Sequence, residues 1–170
     1  MGLTGITDLT TISGRIMNVI IYKDDVEALR PIVSSWKETA AQNEFGIKVF
    51  DENKYLLDLC RMTMNPRSDL LVLFDDIRPV GYLGLEYFDS PMGNQVIAQE
   101  HYWFVLPESR GIGSMRLMKT AMQLAKLKGC SHLIMNASNL ASDLHDKVCR
   151  VYEKFGFKLF ESSYIRSLDE

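Results

Sequence analysis

Cysteines are few in this chain and carry no pattern: Cys60, Cys130 and Cys149 are odd in number and form no C-x-x-C pair. A disulfide framework and a cysteine-based zinc site are thereby excluded, and a reducing cytoplasmic compartment is expected. A basic excess is also lacking. The 19 Lys and Arg stand against 22 Asp and Glu, a formal charge of -3, so the surplus of cations with which nucleic-acid binders neutralise phosphates is missing. No apolar run reaches the roughly 18 residues that span a bilayer. The N-terminal stretch MGLTGITDLTTISGRIM has no basic segment leading into a long apolar run, as a secretory leader would. Gly2 does not complete a myristoylation signal, because Ile6 stands where Ser or Thr is required. No set of His, Cys and acidic residues has the spacing of metal ligands, and His132 and His145 read as a residue at the start of a strand and a solvated helix residue. The expected partners exclude nucleic acid, membrane and metal.

What the chain does have is enough apolar residue, 46% of 170, to bury a core without a staple. One domain over residues 1–170 is expected, with the Thr- and Gly-rich residues 1–13 loose. Residues 15–22 have the β-branched enrichment of a strand. Val26, Leu29, Val33 and Trp36 recur at helical spacing, with Pro31 expected to kink or split that helix. A second helix is expected near 53–64. Three extended segments follow, Asp69–Phe74, Pro79–Phe88 and Val96–Leu106, separated by turn residues and predicted to form an antiparallel meander. Leu117, Met118, Ala121, Leu124 and Ala125 then mark one face of a helix that Gly129 ends. His132–Ala137 reads as a buried strand. Leu144, Val148, Val151, Tyr152 and Phe155 trace a further helical face stopped by Gly156, and residues 157–166 are predicted as a last strand. This order gives an α+β fold: a mixed, mostly antiparallel twisted sheet with one parallel step, flanked by helices.

The most informative stretch is Val105-Leu106-Pro107-Glu108-Ser109-Arg110-Gly111-Ile112-Gly113-Ser114, a strand end passing through two glycines into a helix. Glycines let backbone approach a ligand, and the free N–H groups of a helix's first turn favour an anion such as a pyrophosphate. Arg110 adds a cation suited to phosphate.

The loop resembles the acyl-CoA loop of the GNAT (GCN5-related) N-acetyltransferases, [Q/R]-x-x-G-x-[G/A] after a strand ending in Val-x-Pro. About 40 residues on, Tyr152-Glu153-Lys154-Phe155-Gly156-Phe157 is similar to the family's Tyr-Glu-Lys-x-Gly-Phe. Two motifs in the family's order are far more specific than either alone. The resemblance covers residues 96–160 by motif and the N-terminal half by element order. It has departures: Glu108 stands where the family has Gln or Arg, the loop is about two residues short, and His145 replaces a common Asn seven residues before the tyrosine. The shortened loop and the Val-Cys-Arg-Val-Tyr-Glu-Lys helix also resemble small bacteriophage and bacterial members.

The resemblance implies the GNAT fold, acetyl-CoA as acyl donor and an amine as acceptor, on a small molecule or a protein. It implies that Phe104, Val105 and Leu106 offer backbone to the pantetheine arm lying between two splayed parallel strands. It places Arg110, Gly111, Ile112, Gly113 and Ser114 around the pyrophosphate. It gives Tyr152 the role of protonating the departing thiolate. A homodimer is compatible with this picture.

The chemistry sets one more requirement. An alkyl ammonium, with a pKa near 10, must lose a proton before it attacks a thioester, so a base or water relay is needed. Glu100 is the first candidate, because partial burial in an otherwise apolar strand raises a carboxylate pKa. His101 on the opposite strand face is the second and Glu86 the third; adjacent strand residues cannot both face the substrate. Asp69, Asp75, Asp76, Glu86, Asp89 and Glu100 against Arg78 alone favour a cationic acceptor if they line its cleft. The alternative is a catalytically silent GNAT-fold module that binds acyl-CoA or a protein partner.

Overall fold

The computed structural model describes residues 10–12, 15–41, 50–138, 144–166 and 168. Apart from Thr10–Ile12, which form β1, the stretch expected to be loose at 1–13 lies outside them. β2 (Arg15–Ile21) follows, then a 3-10 turn (Val26–Leu29) whose start is fixed by the Asp25 carboxylate accepting the Glu27 N–H. Pro31 lies in the first turn of α1 (Arg30–Ala40), where a helix has no use for its N–H. The expected kink is thus a boundary: the proline starts α1 after the 3-10 turn. Asp51 caps α2 (Glu52–Met64) by accepting the N–H groups of Asn53 and Lys54.

β3 (Ser68–Asp75), β4 (Arg78–Asp89) and β5 (Val96–Val105) form the antiparallel meander, and α3 (Ile112–Leu127) crosses over to β6 (His132–Ile134), which lies parallel to β5. The sheet runs β1-β2-β3-β4-β5-β6. Leu70, Leu71, Val72 and Leu73 are all fully buried, so β3 is covered on both faces. Leu29, Ile32, Leu56 and Leu59 of the first helical layer fill one side, and Leu117, Ala121 and Leu124 of α3 the other. α4 (His145–Lys154) lies on the α3 side, where Tyr152 stacks on Trp103 at 5.9 Å.

Two features of this layout position the site. β5 and β6 pair only at Ile97↔His132, Ala98↔Leu133 and Gln99↔Ile134, after which β6 stops and β5 runs on to Val105. Between β4 and β5 the register steps from Gly84↔Tyr102 to Leu85↔Glu100, so His101 is the extra residue of a β-bulge.

Two expected strands need correction. The strand expected over His132–Ala137 ends at Ile134, because Asn136 turns its groups toward Glu100 across the gap. Residues 157–166 are not a strand. Phe157 packs on Tyr152 at 5.6 Å, but beyond it Leu159, Phe160 and Tyr164 face solvent. A suitable composition makes a strand only against a partner, and the adjacent edge offers the three residues of β6.

Candidate active site

Where β6 stops, the edge of β5 is left open. Leu106 N–H donates to Val80 O on the β4 side at 2.9 Å. Successive residues of a strand send their amide groups to opposite edges, so Phe104 also faces β4, whereas Trp103 and Val105 face the opening. Arg110 agrees with this parity: its Nε donates to Val105 O at 3.0 Å from the open side. Phe104, Val105 and Leu106 are all buried, with the Phe104 ring 5.4 Å from Trp36 of α1.

The loop beyond β5 brings the start of α3 to this opening. Pro107–Ser109 make a 3-10 turn, and Gly111 sits at φ +76°, ψ −101°, a conformation that side chains rarely adopt. No side chain caps α3, so the N–H groups of its first turn, those of Ile112, Gly113 and Ser114, keep no intrahelical partner. Nothing lies within 4 Å of where a Cβ on Gly111 would be. Gly113 has a different reason to be glycine. A Cβ there would meet Leu73 Cδ2 at 2.7 Å, so this glycine lets α3 press onto β3. Arg110 lies with its guanidinium 5.5 Å from the Phe104 ring centroid. Glu108 faces away, paired with Arg78 at 3.4 Å.

Glu100 and Tyr152 are bridged at the opening by Asn136. Cross-strand partners Leu85↔Glu100 and Leu83↔Trp103 share the face that carries α3 and α4. Glu100 is 6% exposed, and the Asn136 N–H donates to its Oε2 at 3.0 Å. Burial pushes the carboxyl up to about 7, against the opposing effect of the Asn136 hydrogen bonds. Asn136 Nδ2 also donates to Glu100 O at 2.8 Å, and the Tyr152 hydroxyl donates to Asn136 O at 2.9 Å. Burial, and then the neighbouring Glu100 and Cys149, hold the Tyr152 phenol above its ordinary value. Asn136 was not singled out by sequence reasoning; its signal was a lone amide ending the apolar run Leu133-Ile134-Met135.

His101 and Glu86 lie on the other face of the sheet. His101 Nε2 is 2.8 Å from Glu86 Oε2, an unforeseen pairing of two candidates. They line a cleft of about 320 Å³ with Asp58, Arg61, Asn65 and Tyr102. Asp58 is itself paired with Arg61 at 2.6 Å. A depression of about 490 Å³ beside Arg30, Lys37 and Glu52 is lined by side chains already engaged in ion pairs. Among the described residues no group of three or more His, Cys, Asp or Glu is placed to hold a metal, and no helix is long and apolar enough to cross a membrane.

The open parallel step thus lies beside the uncapped, glycine-led start of α3, with the buried Tyr152 stacked on Trp103 of β5. The family model for the acetyltransferase (GNAT) family matches residues 30–157. The chain belongs to the GNAT acetyltransferase family. No curated protein sequence matches it. Solved structures share its fold: a ribosomal-protein-alanine N-acetyltransferase from Brucella melitensis (TM-score 0.67, 16% identity, 89% of this chain and 99% of that one). An acetyltransferase from Trypanosoma brucei superposes with TM-score 0.65 at 18% identity, over 89% and 99% of the two chains. An aminoglycoside acetyltransferase from an uncultured soil metagenomic sample does so with TM-score 0.68 at 13% identity, over 90% and 99%.

Proposed function

We propose that the chain is an acetyl-CoA-dependent N-acetyltransferase of one domain that acts by direct attack of a primary amine in a ternary complex. The observation that carries this reading is the open edge of β5 at Trp103 and Val105, lying between the uncapped start of α3 and the Tyr152–Asn136–Glu100 network. The residues fit the donor. Gly111 leaves its side of the loop clear, the first N–H groups of α3 favour pyrophosphate, and Trp103 and Val105 supply the backbone edge for an extended arm. Arg110 supports that edge through Val105 O and adds positive charge. Acetyl-CoA supplies the activated acyl group; the chain's own groups position and move protons.

Tyr152, kept protonated by burial, is the acid for the departing thiolate. Glu100, with its carboxyl near 7, is the base that receives the amine's proton, directly or through water. The acceptor enters from the α1/α2 face, through the cleft at Glu86 and His101. Amines of small molecules and of proteins both suit it, and the aminoglycoside and ribosomal-protein enzymes of like fold represent the two classes.

The test is thermal and catalytic. Acetyl-CoA at a hundredfold excess over its Kd should stabilise the fold by about 2.7 kcal/mol, and CoA should be released on presentation of polyamines, aminoglycosides or lysine peptides. Stabilisation without release across that panel would favour the silent binding module, for which Glu108 at the loop position where the family has Gln or Arg speaks.

A further inference from the structure

The geometry points to Cys149, with His145 as its base, as a second nucleophile that takes the acetyl group from acetyl-CoA by thioester exchange when no amine is in place. The inference rests on the proposed binding of acetyl-CoA beside Tyr152. His145, Cys149 and Tyr152 are spaced i, i+4, i+7, which puts them in one stripe along α4. Tyr152 fixes the direction of that stripe: its ring stacks on Trp103 and its hydroxyl reaches Asn136 O at the opening between β5 and β6. Cys149 lies about one turn before Tyr152 on that stripe.

Cys149 is not a lone thiol. Its Sγ lies 3.6 Å from His145 Nε2. His145 Nδ1 is buried with no partner among the described residues, so the imidazole has Nε2 as the nitrogen engaged with a neighbour. Cys149 is partly exposed, as a reactive thiol must be, and it shares the stripe of Tyr152 on α4.

The step balances without a co-reactant beyond the donor. His145 Nε2 takes the proton from Cys149 Sγ, and the thiolate forms a bond to the thioester carbonyl carbon. The bond from that carbon to the CoA sulfur breaks, and CoA leaves with a proton from Tyr152 or from the imidazolium. A thioester replaces a thioester, so the exchange is reversible and free CoA drives it back.

The full chain incubated with excess acetyl-CoA and no amine should gain one acetyl group on the Cys149 peptide by intact-mass and peptide mass spectrometry. Added CoA or neutral hydroxylamine should discharge it. Cys149→Ser should abolish the adduct, whereas Cys60→Ser and Cys130→Ser should leave it. His145→Gln should slow its formation on the order of 100-fold, the range of positioned proton transfer, and should slow iodoacetamide alkylation of Cys149 as well. A small aryl thioester, which needs no CoA subsite, separates the two readings. Labelling of Cys149 by that reagent but not by acetyl-CoA would overturn the donor assignment and keep the nucleophile. Labelling by neither, labelling equal at Cys60, Cys130 and Cys149, or indifference to His145→Gln would overturn the nucleophile.

Discussion

Glu100 and Tyr152 are joined through one residue: Asn136 donates its N–H to the Glu100 carboxylate at 3.0 Å and accepts the Tyr152 hydroxyl at 2.9 Å. They belong to β5 and α4, and the residue between them follows β6 where its pairing with β5 has ceased. The network bridges β5 and α4 where that pairing has ceased, and Glu100 and Tyr152 each have a distinct predicted response.

Glu100 should make stability depend on pH. Its folded value of about 7 is above an ordinary glutamate's 4.5, so the folded state holds the proton more tightly. That contribution is complete below about pH 4.5 and is lost as pH rises through 7, to a total of about 3 kcal/mol at roughly 1.4 kcal/mol per unit. Glu100→Gln does not titrate. Chemical melts of the two proteins from pH 4.5 to 8.5 should therefore diverge, with the variant gaining relative stability at high pH. A kcat profile rising near pH 7 in the wild type should be flattened in the variant. Parallel melting curves would contradict the buried carboxyl.

Tyr152→Phe should have two separable effects. Loss of the hydroxyl leaves the Asn136 carbonyl without that partner, costing about 1–3 kcal/mol of stability. Turnover should fall by roughly 100-fold or more at a temperature where the variant is fully folded, with the acetyl-CoA Kd kept within a few fold. A variant that melts lower but turns over normally would remove the acid role and leave a structural hydroxyl.

Much of this was legible before any coordinates, for physical reasons that also mark the limits. β3, β4, β5 and α3 carry long periodic patterns, and Gly111 and Tyr152 sit in local motifs, so both could be read from neighbours in sequence. Glu100 was legible as an acid in an apolar strand, and it is indeed buried. The pairing of His101 with Glu86 was not, because it depends on cross-strand register and on a bulge that shifts it. The sequence makes Gly113 a ligand-facing glycine, while the space its missing side chain would fill is taken by Leu73, forty residues earlier in the chain. Residues 157–166 look like a strand in composition, but composition does not specify the partner edge a strand requires.

The two loop glycines should fail differently. Gly111→Ala places a side chain at φ +76° with free space around it, so the cost is backbone strain of about 1–3 kcal/mol. Gly113→Ala puts a methyl 2.7 Å from Leu73 Cδ2 and should lift α3 from β3, at about 1–3 kcal/mol. Leu73→Val removes the clashing carbon, so the Gly113→Ala/Leu73→Val pair should be less destabilised than the sum of its singles. Additivity in urea melts would show that α3 does not press on β3 at this point. Gly111→Ala combined with Leu73→Val should be additive.

The last prediction concerns the acceptor face. His101 and Glu86 are each a little over two-fifths exposed, with side chains 43% and 44% accessible, and they stand in a cleft on the face opposite Tyr152. If amines enter there, Glu86→Gln removes a negative charge that a cationic acceptor meets before reaching the gap between β5 and β6. The KM for amines should rise by roughly 5- to 30-fold, as expected for about 1–2 kcal/mol of a partly exposed charge contact. The effect should shrink with added salt. The acetyl-CoA Kd should not change, because the donor groups are on the other side of the sheet. His101→Ala frees the Glu86 carboxylate from its partner, so for a cationic amine it should lower KM or leave it unaltered, in the direction opposite to Glu86→Gln. A role for His101 as the base predicts instead a large fall in kcat in His101→Ala with Glu100→Gln nearly silent, and steady-state kinetics of the two single variants on one amine decides between them.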